Sequence, residues 1–364
     1  MEIFKMRIAQ IAPLWERVPP PAYGGTELVV SLLTDELLRR GHEVTLFASG
    51  DSETLARLEP GCKKALRSLD VTHQEYAIYE QMQLSKVFER ANEFDVIHAH
   101  VDYPALPYTN LTKTPVVHTI HGTFSPLVEQ FFTKHRQQHF VSISNSQQRP
   151  ELGLNYVATV YNAIAPERFT FYSQPKQPPY LAFVGRISPE KGPKLAIEIA
   201  KRSGWHLKIA GKVDPQDRAF FEAEVEPLID GKQIEFLGEA NHEKKNELMG
   251  GAVATLFPIT WREPFGLVMI ESMASGTPVI AMALGSAPEI IVHGKTGFLC
   301  DTVDECVDAI AKIPQLNRHA CREHVETNFA VKHMVDGYEA VYNQILAERF
   351  AHNGHLHVPT LLAS

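Results

Sequence analysis

The chain has 364 residues, 44% of them hydrophobic and 21% charged, and a formal net charge of −8 with histidine neutral. That length exceeds one ordinary core and implies two domains, while the acidic balance argues against nucleic acid as the main partner. No apolar run of about 18 residues offers a membrane span, and "MEIFKMRIAQIAP" lacks the separate basic, apolar and small-residue regions of a signal peptide, so a cytoplasmic protein is expected.

In chain order, "RIAQIAP" reads as a buried strand, followed by the Pro/Gly loop "LWERVPPPAYGG". "TELVVSLLTDELLRRG" places Leu28, Leu32, Leu33 and Leu37 at helical spacing before a Gly41 stop. "EVTLFAS" is the next strand. A polar stretch at 50–80 and a helix near 75–91 precede the strands "DVIHAH", "PVVHTIHG", "HFVSIS" and "VATVYNAI". Strands alternating with helices imply βαβ units and a parallel sheet. "FYSQPKQPPY", near 170–180, breaks the pattern as a polar, proline-rich linker. The alternation restarts with "YLAFVGR", "HLKIAGK", "IEFLG", "VATLFPI", "TPVIAM" and "GFLC". Two successive α/β halves predict two Rossmann-like parallel-sheet domains facing a central cleft. "AVKHMVDGYEAVYNQILAERF" is a last helix with no strand after it, and the final "AHNGHLHVPTLLAS" carries no pattern.

Ligands of open parallel sheets bind outside the carboxyl ends of the strands, so the segments at strand ends carry the chemistry. In "AYGGTE", Gly24 and Gly25 let backbone approach a phosphate at a helix N-terminus, although the G-x-G-x-x-G and Walker patterns are absent. A tight turn before a helix is the alternative. In "FVGRISPEKG", Arg186 offers a planar fork of donors and Lys191 a point charge, both suited to a diphosphate; solvated surface charges are the alternative. In "WREPFGLVMIES", Glu263 and Glu271 bracket an apolar run in which Gly266, Leu267 and Val268 begin a helix with unpaired N–H groups. In a continuous helix, residues eight apart lie about 80° and 12 Å from each other, and Pro264–Gly266 bends that path. Two acceptor-only groups flanking a set of donors suit a phosphate between two sugars. His98, His100, His118 and His121 lack the carboxylate or cysteine company of a metal site and read as packed sheet residues. His121 stands apart, at a strand end before Gly122. Cys62, Cys300, Cys306 and Cys321 form no CxxC pair, as for reduced thiols without zinc.

Together these segments resemble the retaining, nucleotide-sugar-dependent glycosyltransferases of family GT4, with the GT-B fold. "EPFGLVMIE" is similar to that family's E-x7-E signature and "GRISPEKG" to its diphosphate segment. "YGGTE", "HGTF" and "VYNAIAPERF" are similar to its N-domain donor loop, active-site histidine and hinge. The resemblance implies an acceptor-side domain at 1–168, a donor domain at 169–329, a helix at about 330–350 that crosses back onto the first domain, and a tail at 351–364. It implies Glu271 on the donor ribose, and Glu263 with the amides of Phe265, Gly266 and Leu267 on the transferred sugar and phosphate. Arg186 and Lys191 would neutralise the departing diphosphate, Gly25 would approach it from the other domain, and His121 would lie beside the anomeric carbon. Gly24, Val268 and Leu237 complete the implied donor pocket. No cofactor is implied beyond the donor itself, UDP-linked by the family's habit, and no obligatory metal, because cations and helix amides take its place. Ala163, Ala165, Ser286 and Lys212 depart from the family pattern.

The expected activity is therefore metal-independent transfer of a hexose from a UDP-sugar to an acceptor hydroxyl, through a same-face mechanism. A nucleotide-sugar epimerase of the same fold and a catalytically silent sugar-nucleotide-binding protein are the alternatives. A dehydrogenase ranks last because its glycine fingerprint is missing. The acceptor is unspecified, a saccharide, a lipid or a small molecule, with the 50–80 stretch and "VDYPALPY" as its expected readers. Lys63 and Lys64 alone are too few for a membrane surface, leaving at most peripheral contact at the inner membrane.

Overall fold

Each half of the chain builds one parallel sheet. The computed structural model describes residues 5–352 apart from 23 and 70, so the expected tail lies outside the described residues from 353 onward. The first sheet contains β1 (Arg7–Ile11), β2 (Glu43–Ser49), β3 (Arg57–Cys62), β4 (Val96–Ala99), β5 (Val116–Ile120), β6 (His139–Ser142) and β7 (Tyr156–Thr159). Its order is β3-β2-β1-β4-β5-β6-β7. The second contains β8 (Leu181–Val184), β9 (Leu207–Ala210), β10 (Ile234–Phe236), β11 (Ala254–Phe257), β12 (Val279–Met282) and β13 (Gly297–Cys300), in the order β10-β9-β8-β11-β12-β13. Every pair of neighbours is parallel. Central strands such as β4 and β5 are buried along their whole length, as strands covered by helices on both faces must be. The strand order reverses at β1 in the first sheet and at β8 in the second. Such switch points open a crevice at the carboxyl ends of the strands.

One strand escaped the sequence pattern. The 50–80 stretch contains β3, "RLEPGC", paired in parallel with β2. It lies at the sheet edge, where Pro60 can lack an N–H without breaking a ladder on both sides. Beyond it, the helix His73–Glu89 starts in a capping box: Glu75 N donates to Thr72 Oγ1 at 3.2 Å, and Thr72 N donates to Glu75 Oε2 at 2.8 Å.

The last helix, Val331–His352, packs on the first half although the second half precedes it in sequence. Met334, Val335, Tyr338, Val341, Tyr342, Ile345 and Leu346 share a core with Met6, Ile8, Val29, Leu33 and Val96. Ion pairs reinforce the docking: Glu339 accepts from Arg40 Nη1 at 2.7 Å and faces His42 Nε2 at 2.9 Å. The two halves also meet at Glu289, whose carboxylate accepts from Asn145 N (2.8 Å), Ser146 N (2.6 Å) and Tyr161 Oη (2.8 Å). Ser144 Oγ donates to Pro264 O at 2.6 Å, and Arg67 Nη1 lies 3.3 Å from Asp214 Oδ1. Among the described residues, no helix is long and apolar enough to cross a membrane.

Candidate active site

Between the two sheets lies a cleft of about 660 Å³, within the range of small-molecule sites. The segments that line it follow β1, β5, β6 and β7 of the first sheet and β8, β9, β10 and β11 of the second, all at carboxyl ends. Gly24, Gly25, His121, Arg186, Lys191, Glu263, Phe265, Gly266, Leu267, Val268 and Glu271 all line it. Leu237 does not: it follows β10 and is 51% exposed, outside the cleft lining. The segment after it does reach the cleft, through Glu239, Ala240, His242 and Lys245, while the Leu237 side chain is turned out to solvent.

The two glutamates are buried, Glu263 at 7% and Glu271 at 3% exposure, and each holds a lysine. Lys191 Nζ donates to Glu263 Oε2 at 2.5 Å, and Lys245 Nζ donates to Glu271 Oε1 at 2.5 Å. Trp261 Nε1 also donates to Glu263 Oε2 at 2.7 Å, and its ring lies 4.9 Å beneath the Lys191 ammonium. Hydrogen-bonded pairing of this kind is what lets a carboxylate remain in a low-dielectric cleft. Arg186 is paired with Glu190 and lies 3.9 Å from Asp214 and 3.8 Å from Asp217. Lys212, a departure from the family pattern, lines the cleft and pairs with Asp214 at 3.3 Å.

Local backbone explains these placements. Gly266 has φ 82° and leads into the helix Leu267–Ala274, with no side chain capping its first N–H groups. The start of the helix Gly25–Arg39 faces it: a Cβ on Gly25 would lie 3.3 Å from Leu267 Cδ1. Gly192 turns the chain after Lys191 at φ 73°, so close to β11 that a Cβ would lie 1.9 Å from Pro258 O. Ser286 braces the loop before the helix Leu267–Ala274, donating its hydroxyl to Phe265 O at 2.5 Å and its N–H to Glu263 O at 3.0 Å. This departure from the family pattern therefore adds a strut.

His121 sits on a turn that Asp102 clamps. Asp102 Oδ1 accepts from His121 N at 2.8 Å and Gly122 N at 3.1 Å, with Asp102 itself at φ 52°. Burial pushes the Asp102 carboxyl up and the His121 imidazole down to about 3. His121 Nε2 bonds His100 Nδ1 at 2.9 Å. His98 and His100 are fully buried and hydrogen-bonded, and His118 Nε2 pairs with Thr109 Oγ1 at 2.9 Å. Among the described residues, no group of three or more His, Cys, Asp or Glu is arranged to hold a metal ion. All four cysteines are free and buried. Sequence reasoning missed Lys245, Trp261 and Asp102. "EKKNELMG" gives no local cue for Lys245, whose partner is 26 residues away.

Comparison with known proteins settles the family. A profile described as Glycosyltransferase Family 4 matches residues 23–168, and one described as Glycosyl transferases group 1 matches residues 166–327. The chain belongs to glycosyltransferase family 4. It is a glycosyltransferase of the GT-B fold. The enzyme is 28% identical over 346 residues to a glycogen synthase of Mycobacterium tuberculosis, covering 81% of this chain and 82% of that one. Its fold is similar to that of Anabaena Alr3699/HepE in complex with UDP-glucose (TM-score 0.68, 18% identity, 95% of this chain and 100% of that one). It is also similar to the catalytic domain of Starch Synthase IV from Arabidopsis thaliana bound to ADP and acarbose (TM-score 0.71, 14% identity, 94% and 100%).

Proposed function

We propose that the enzyme transfers a hexose from a UDP-sugar to an acceptor hydroxyl with retention at the anomeric carbon. The observation that carries this reading is the pair Glu263 and Glu271, each already holding a lysine, on either side of an uncapped helix start in one cleft. In this reading Glu271 takes the ribose hydroxyls, and Glu263 takes the transferred sugar with the amides of Phe265, Gly266 and Leu267. Lys191 and Arg186 turn from their carboxylates toward the diphosphate as charge grows on it. Positioning and charge stabilisation then supply the catalysis, without a metal ion being required. The leaving phosphate deprotonates the acceptor hydroxyl on the same face, and His121 borders the anomeric carbon. The neighbour holding UDP-glucose supports uridine in the donor; the one holding ADP makes the base a matter for direct test. The enzyme is read as cytoplasmic, with the acceptor on the side of the first sheet.

Replacing Glu271 or Arg186 by alanine is expected to weaken nucleotide binding at least about tenfold, ~1.4 kcal/mol each, and to suppress sugar transfer. Thermal shift with UDP, GDP and ADP identifies the base, and proton NMR of the product gives its anomeric configuration. Wild-type binding and transfer in both variants would overturn the assignment; an inverted product would overturn retention.

A further inference from the structure

Three buried polar side chains line the cleft: Glu263 and Glu271, at 7% and 3% exposure, and Asn162 at 5%. Each glutamate is matched by a lysine. Asn162 is matched by nothing. Among the described residues its amide has no hydrogen-bond partner, and its Oδ1 is sealed from solvent. Burial strips an amide of the water that would otherwise serve it, so buried amides are normally paired inside the protein. This one borders the cleft, and the partner that suits it is one that enters there.

The backbone keeps Asn162 in that place from both sides. Val160 N, one residue beyond β7, donates to Ser142 O at 2.9 Å. Ile164 N donates to Phe329 O at 3.0 Å, where Ile164 bridges Ala330. Ala163 and Ile164 are each 1% exposed, and Tyr161 Oη is held by Glu289 at 2.8 Å. The chain at Asn162 cannot retreat from the cleft without breaking these contacts. Asn162 follows β7 as Ile143 follows β6 and His121 follows β5, and all three line the cleft at the carboxyl edge of the first sheet. Ile143 and Ile164 share a core with Phe265, beside the uncapped start of the helix Leu267–Ala274.

A primary amide has two N–H donors and one carbonyl acceptor. A half-turn changes which end faces the cleft, but either end serves an oxygen of a sugar nucleotide. A hydroxyl pairs with both ends, and a phosphate oxygen pairs with the Nδ2 end. We propose that Asn162 is a further substrate-binding residue, whose amide hydrogen-bonds an oxygen of the nucleotide sugar from the side of the first sheet. Glu263 and Glu271 hold the same molecule from the second. The assignment rests on the reading that this cleft takes a nucleotide sugar.

Asn162→Leu and Asn162→Ala both delete the amide, one filling its space and the other emptying it, so a shared effect belongs to the amide. In urea without ligand, Asn162→Leu is expected to keep at least the wild-type midpoint, since an apolar side chain leaves no polar group unpaired. By calorimetry, both variants are expected to bind UDP-glucose at least about tenfold more weakly than the wild type. A matching loss with UDP puts the contact on the diphosphate; a loss with UDP-glucose alone puts it on the hexose. Wild-type affinity in both variants would overturn the proposal, assigning the amide to the fold if the midpoint of Asn162→Leu drops and to bound water if it does not. A loss confined to one variant follows side-chain volume and would overturn it too. Failure of the UDP-sugar reading shows separately, as a wild type that binds neither probe, and the assignment falls with it.

Discussion

Glu263 and Glu271 are chemically identical and nearly equally buried, yet they are held differently. Glu263 has a lysine and an indole N–H on one oxygen, and Glu271 has a single lysine from another helix. Their spacing and the apolar run between them were readable in the sequence because the segment is local. Their lysine partners were half readable: Lys191 lies on a strand-end loop, whereas Lys245 lies in the first turn of the helix His242–Gly251, after the edge strand β10. A third glutamate has a different fate. Glu27 is buried beside the first helix start, accepting from Glu16 N at 3.3 Å, and burial holds its carboxyl up at about 7. The folded chain thus binds that proton more tightly than the unfolded chain does. The resulting stability is full below about pH 4.5 and is lost as pH rises through 7. Glu27→Gln does not titrate, so it should gain on the wild type between pH 5 and pH 8, by on the order of 2–3 kcal/mol. Urea unfolding at both pH values measures the difference; an equal gap at the two would defeat it.

At the scale of elements, the strands that sequence reveals are those with β-branched, wholly buried runs. Strand β3 was hidden by its proline and its half-exposed edge position, and Leu237 lies outside the cleft lining because its side chain faces solvent, although Glu239 and Ala240 just after it line the cleft. His98, His100 and His118 were legible as sheet residues, but the hydrogen bonds from His98 to Tyr342 and from His100 to Gln10 join positions that only the fold brings together. The turn at Gly192 tests how tightly an element end positions the site. Gly192 and Gly204 have nearly the same φ, 73° and 72°, but a Cβ at Gly192 meets Pro258 O whereas Gly204 faces open space. Gly204→Ala should cost only the left-handed penalty, about 1 kcal/mol, and leave nucleotide affinity unchanged. Gly192→Ala should cost about 2 kcal/mol or more and weaken nucleotide binding by displacing Lys191. Urea denaturation and nucleotide titration of the two variants separate backbone strain from site geometry.

Across the whole molecule, several contacts join the two sheets, among them Glu289 with two backbone N–H groups and Tyr161, Ser144 with Pro264, and Arg262 with Ser146. Glu289→Ala leaves those N–H groups without their acceptor, at about 1–3 kcal/mol. The free variant should show a larger radius of gyration by X-ray scattering and return toward the wild-type value with saturating nucleotide. An unchanged radius in the free variant would show that other contacts set the domain angle. The last helix acts on the same scale. Its seven core residues from Met334 to Leu346 finish a core that Met6 and Ile8 begin. A ribosome makes the segment of Met6 and Ile8 before the second sheet and the last helix after it. The first sheet therefore emerges with part of one apolar face uncovered, and that part stays uncovered while the entire second domain is translated. Folding of this chain cannot close from the N-terminus onward as each domain appears. The nascent first domain must be shielded, or wait partly open, until the helix Val331–His352 has been made.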